Sequence, residues 1–146
     1  MAATVLRALF LLFVVSVGAS AQAQNKDVYQ QVTKVATSLT DANPAEAMDA
    51  FDKSFDGYGR LRDYFTALTN AYSLANEIEV NDEHVAANEA TLTVHWVLTL
   101  TDSRTGFSES RSEDTTVKLA LNKKGKWRIV GFTPLEFFNP ELRKSK

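Results

Sequence analysis

A histidine, two carboxylates and a row of phenols are the side chains in this sequence best suited to moving a proton. His95 stands between Val94 and Trp96, and imidazole is the group that exchanges protons near neutral pH. Asp63 and Asp114 are the acids nearest to apolar runs. A carboxylate pressed against an apolar surface has a raised pKa and can serve as a base. Tyr58, Tyr64 and Tyr72 follow one another at intervals that suit a single helix, from which a phenol could donate a hydrogen bond into a pocket. Each type also has an ordinary use: tyrosine stripes pack a core or its rim, and both acids stand where exposed acids are common. Tyr64, Tyr72, Asp63, His95 and Asp114 are therefore the candidates for lining a ligand cavity, and no residue is assigned a catalytic role.

Composition removes several classes of function. The chain has no cysteine and only two histidines, His84 and His95, which lack the spacing of a metal site, so neither a structural zinc ion nor another metal is expected. No cofactor is expected either. Sixteen Lys and Arg oppose eighteen Asp and Glu, a net charge of −2, and the signs are interspersed. The exceptions are a cluster at Lys123, Lys124 and Lys126 and a tail at Arg143, Lys144 and Lys146. A nucleic-acid surface shows a basic stripe and an elevated pI, so nucleic acid is not an expected partner. The lysine-rich turn reads as a solvated turn.

The first residues carry one positive charge at Arg7, an apolar run from Ala8 to Val17, and the small residues Ala19-Ser20-Ala21-Gln22-Ala23. That is the order of regions in a secretory signal peptide. An apolar run of about ten residues is well short of the roughly 20 that span a bilayer. Residues 1–23 are thus expected to be an export signal, cleaved after Ala21 or Ala23. Residues 24–146 then form a single domain with no membrane anchor, free in the periplasm or the medium.

The elements that would position the candidates follow from periodicity. Val28, Val32, Val35 and Leu39 recur at helical spacing. Asn43-Pro44-Ala45-Glu46 supplies a cap, a proline at the first helical position and an acid after it, predicting a second helix from Pro44 to about Lys53 that buries Ala47, Met48 and Phe51. A third helix carries Leu61, Tyr64, Phe65, Leu68 and Tyr72 on one stripe. The period then changes to two: Leu74, Asn76, Ile78 and Val80 share a face, and Asn81-Asp82-Glu83 reads as a turn. In Ala90 to Thr101, Leu92, Val94, Trp96, Leu98 and Leu100 point one way, while His95 and the threonines point the other. If the second face is solvent, His95 is a surface residue. A third strand is expected from Phe107 to Leu121. Its first half, with Glu109, Arg111 and Glu113, reads as an exposed ribbon of cross-strand pairs or a bulged segment. Asn122-Lys123-Lys124-Gly125 reads as a hairpin turn. The last strand, Lys126 to Thr133, would put Trp127 and Ile129 on one face and Val130 and Phe132 on the other. Pro134 ends it, and Leu135, Phe137 and Phe138 fold back onto the domain.

Three helices followed by four strands, with no crossover helices, give an α+β domain. The helices pack in the concave face of a curved, mostly antiparallel sheet, and the interior of that cone is where a pocket would form. The helical first half, the helix Leu61 to Tyr72 running into Ile78-Glu79-Val80, the strand Ala90 to Leu100 and the hairpin Asn122 to Ile129 together resemble the NTF2-like superfamily. This is the cone-shaped α+β barrel shared by SnoaL-like and ketosteroid-isomerase-like proteins; with the export signal and the absence of cysteine, an exported bacterial member of that group is expected. Where many relatives carry a short hairpin between the second and third helices, this chain has only Ser54-Phe55-Asp56-Gly57. The superfamily includes isomerases, dehydratases, cyclases, ligand binders and protein-association modules, so the fold alone does not choose among them. The expected function is non-catalytic binding of a small apolar ligand or a protein partner, with a homodimer formed through the outer sheet face at Val97 and its threonines. The alternative is an isomerase- or dehydratase-like enzyme that uses polar groups in the cone.

Overall fold

The computed structural model describes residues 25–142; the export leader assigned to residues 1–23 and the basic tail from Arg143 lie outside them. The chain begins with helix α1 (25–40). It continues through α2 (Pro44–Met48), α3 (Tyr58–Ala71), β1 (Tyr72–Val85), β2 (Glu89–Asp102), β3 (Ser108–Leu121) and β4 (Trp127–Thr133), and ends in a 3-10 turn, Leu135–Phe138. The four strands form one antiparallel sheet in the order β1-β2-β3-β4. The sheet is curved but not closed, and the helices pack against one face of it.

The helices start and stop for local reasons. The Asn43 side chain accepts the Glu46 amide proton at 3.1 Å and caps α2, with Pro44 at its first position. Val28, Val32, Val35 and Leu39 are buried along one side of α1, and Leu61, Phe65 and Leu68 along one side of α3. In β2 the alternation is complete: Leu92, Val94, Trp96, Leu98 and Leu100 are buried on the concave face. Phe65, Trp96, Phe132, Phe137 and Phe138 then meet at ring separations of 5.0 to 5.9 Å, mostly edge to face, the arrangement aromatic quadrupoles favour.

Five expectations are corrected. First, Asn81-Asp82-Glu83 is not a turn: β1 runs on to Val85, and a bulge between Val80 and Asp82 absorbs the extra residue. The connection to β2 falls instead at residues 86–88, where the Ala86 amide reaches the Glu89 carbonyl at 2.8 Å. Second, α2 ends at Met48, because Phe51 is drawn into a parallel bridge with Ile129. Third, Tyr72 is extended backbone at the head of β1 and not the end of α3. Fourth, Phe132 shares the buried face with Trp127 and Ile129. Lys118 pairs with Gly131 but Leu119 with Ile129, so Val130 is the unpaired extra residue, and a one-residue insertion reverses every later side chain. Fifth, the polar first half of β3 pairs with β2 without a break in register, and Arg111 within it is buried.

Candidate functional site

The five sequence candidates do not converge on one cavity. His95 and Asp114 pair across β2 and β3 on the outer face of the sheet. His95 Nδ1 lies 2.7 Å from the Asp114 carboxylate, and its Nε2 lies 2.9 Å from the Ser112 hydroxyl. With Nδ1–H donating to the carboxylate, Nε2 accepts the hydroxyl proton. This is the connectivity that activates a serine nucleophile. Here, however, it sits on the outer face of the sheet with the His95 and Asp114 side chains 37% and 68% exposed, and not in the water-excluded site where oxyanion stabilisation is strong. The row continues as Thr99 with Ser110 at 3.0 Å and Thr101 with Ser108 at 2.6 Å, a cross-strand hydroxyl ladder that joins two strands.

Asp63 points to solvent with its side chain 75% exposed, 3.7 Å from Arg62. Tyr64 donates to the Glu136 carboxylate, 2.9 and 3.1 Å from its two oxygens, and Arg60 lies 3.6 Å from the same group. Hydrogen bonds from Asn139 and Tyr64 hold the Glu136 carboxyl below its ordinary pKa, while slight desolvation and Glu136 raise that of the phenol. This contact ties α3 to the C-terminal turn. Tyr72 is half-buried at the start of β1.

The concave interior is filled. Trp96, Phe65 and Phe138 are all but inaccessible, and the Trp96 indole donates to Asn76 at 2.9 Å. Asn76 in turn donates to Thr40 at 3.1 Å, and Thr40 donates to the Ala36 carbonyl at 3.0 Å. That chain explains why a polar residue occupies an inward position of β1: it satisfies a buried N–H. Ser38, Arg111 and Thr115 are the buried polar residues among those described. Thr115 donates to the Val94 carbonyl at 2.8 Å. Arg111 donates to the carbonyls of Phe137 and Asn139 at 3.0 and 2.7 Å, with those of Pro140 and Leu142 at 3.4 and 3.5 Å. Burial lowers the Arg111 pKa and Glu109, 4.0 Å away, opposes the shift. No sequence signal marked Arg111 apart from its neighbours. Its parity with Thr115 and Val117 fits an inward position, but Glu109 and Glu113 share that parity and are exposed.

Concavities lie on the exterior. One of about 670 Å³ runs along α1 past Tyr29, Thr33 and Thr37 towards Glu46 and Glu83. A second, of about 660 Å³, lies between α1, the α2–α3 connection and the β3–β4 hairpin. Lys34, Lys53, Lys123, Lys124, Lys126 and Arg128 surround it, with Asp49 and Asp52 as the acids and Met48, Phe51 and Tyr58 as an apolar wall. A smaller recess of about 350 Å³ adjoins it and shares Lys34, Lys126 and Arg128 with it, adding Trp127. Among the described residues there is no group of side chains able to hold a metal ion.

No family model and no curated protein sequence matches this chain. Solved structures do. An NTF2-like superfamily protein from Salmonella enterica superposes with a TM-score of 0.64 at 15% identity, over 77% of this chain and 89% of that one. A conserved protein from Planctomyces limnophilus gives 0.71 at 7% identity, over 76% and 94%. A ketosteroid isomerase-like protein from Erwinia carotovora gives 0.62 at 12% identity, over 72% and 89%. The chain thus has the NTF2-like fold, and at these identities the likeness is one of fold.

Proposed function

We propose that this protein is a non-catalytic binding module that works outside the cytosol and holds its ligand or partner on the exterior of the cone. The observation that carries this reading is the filled interior. Trp96, Phe65, Phe132 and Phe138 occupy the volume in which a ligand would sit. The buried Arg111 is committed to backbone carbonyls. An isomerase-like enzyme needs a carboxylate base and a hydrogen-bond donor facing one apolar cavity. The histidine and carboxylate that do meet, His95 and Asp114, meet on the opposite side of the sheet. The signal-like pattern in residues 1–23 supports the compartment.

A titration of the ¹⁵N-labelled protein with a neutral steroid, followed through the Trp96 indole resonance and through steroid turnover, tests this directly. The expected outcome is no saturable shift at Trp96 and no isomerised product. A saturable shift there, or any turnover lost on replacing Asp114 or His95, would overturn it.

A further inference from the structure

If binding falls to the exterior, the cation-lined concavity is the place where this molecule concentrates charge without answering it. Overall the chain is slightly acidic, with a net charge of −2. Yet six cations from three separate segments face two carboxylates around one hollow. Among the described residues none of the six forms an ion pair within 4.0 Å of a carboxylate. Asp52 is already engaged, accepting from the Ser54 amide at 2.9 Å and the Ser54 hydroxyl at 2.5 Å. Those two bonds, with a smaller contribution from Arg128, hold its carboxyl below the ordinary range.

The arrangement is fixed by backbone geometry. The Ile129 amide donates to the Ala50 carbonyl and the Asp52 amide to the Ile129 carbonyl, both at 2.8 Å, which fastens the segment carrying Asp49 and Lys53 beside Arg128. At the hairpin tip the Asn122 side chain accepts from the amides of Lys124 and Lys126, each at 2.9 Å. Gly125 supplies the positive φ of 76° that the turn requires. Lys34 and Arg128 are half-buried, while Lys53, Lys123, Lys124 and Lys126 are exposed around them. Arg128 spends one N–H on the Trp127 carbonyl at 2.9 Å and keeps its other donors.

We propose that the concavity walled by Lys34, Lys53, Lys123, Lys124, Lys126 and Arg128 binds a small organic polyanion, carrying two or more phosphate or carboxylate charges on an apolar or aromatic frame. The charge surplus selects the anion, because like charges held together are relieved by a multivalent counter-charge. Tyr58, half-buried on one wall above the buried Met48 and Phe51, offers the frame an aromatic surface. The volume of about 660 Å³ lies within the range of small-molecule pockets, and the charge is gathered in one hollow and not drawn out as the stripe that a nucleic-acid polymer needs. This proposal rests on the exterior reading above, and the two tryptophans separate their failures. Trp127 lines the adjoining recess and Trp96 lies in the filled interior.

The ¹⁵N-labelled protein is titrated at low ionic strength with benzene-1,3,5-tricarboxylate, pyrophosphate and inorganic phosphate, and mixed in parallel with phosphatidylglycerol vesicles. The first two probes are expected to give saturable shifts at the Trp127 indole and the amides of residues 122–128, with inorganic phosphate weaker and Trp96 unmoved. The pairs Lys34→Gln/Arg128→Gln and Lys123→Gln/Lys124→Gln should each weaken binding about tenfold, about 1.4 kcal/mol. The second pair lies in an exposed turn and guards against a folding defect in the first. Unchanged affinity in both variants, or no saturable shift with either polyvalent probe, overturns the proposal. Capture by vesicles without binding of the soluble polyanions also overturns it, in favour of a membrane surface. Shifts at Trp96 in the steroid titration would instead overturn the exterior reading, leaving the groove titration to stand or fall separately.

Discussion

Two regions of this molecule gather positive charge, and they treat it in opposite ways. Near the C-terminal turn a single guanidinium, Arg111, is buried and donates to successive carbonyls of the chain that follows β4. Beside the β3–β4 hairpin six cations surround a hollow and are left to water. The first cation is consumed in holding the fold together. The second group forms no ion pair among the described residues, and apart from the Arg128 bond to the Trp127 carbonyl its donors are uncommitted, as a binding surface requires. A residue's type therefore says less about its role than whether the fold has already given it a partner.

The contrast predicts effects that differ in size and in sign. The largest should come from Phe138→Ala at the sealed end. Phe138 is fully buried and touches the rings of Phe65, Trp96, Phe132 and Phe137, so the substitution should cost about 3–5 kcal/mol in chemical denaturation. Arg111→Met preserves much of the volume but strips the donors from buried carbonyls. A loss of about 2–4 kcal/mol is expected, with faster hydrogen exchange confined at first to residues 134–142. A loss within a few tenths of a kcal/mol would show that the two ends do not differ as described. Smallest, and opposite in direction, is Lys123→Gln/Lys124→Gln: relief of repulsion in the hairpin should raise stability by up to ~0.5 kcal/mol in low salt, and added salt should erase the gain. A destabilised double variant would mean that these lysines, like Arg111, serve the fold.

Much of the fold was legible because burial leaves a period in the sequence. The alternation from Leu92 to Leu100 and the helical spacing of Val28, Val32, Val35 and Leu39 are direct imprints of one covered face. The features that escaped are those in which the period slips or the partner is remote. Val130 and the Val80 to Asp82 step are single-residue bulges, which local composition does not announce. Arg111 sits in a run as polar as any loop, and what buries it is a segment 26 to 31 residues away. The surroundings of the site candidates were less legible than the fold for the same reason. His95 was legible as outward-facing, and its pairing with Asp114 follows from register, but register cannot be read from one strand alone. The groove unites Lys34, Lys53 and the hairpin, positions that no local window contains. The solvated turn read from Lys123, Lys124 and Lys126 was correct about exposure and silent about what stood opposite.

The bulge in β1 has a consequence for how copies of this chain behave in company. β1 is an edge strand of 14 residues whose one strand partner among the described residues is β2, long enough to template the strand of another molecule. The break in register near Val80, with Glu77, Glu79, Asp82 and Glu83 exposed along the same strand, spoils the flat, uncharged edge on which strands add. A chain that has just closed its sheet holds that edge bare, and this single inserted residue, flanked by acids, works against the recruitment of neighbouring copies into an aggregate.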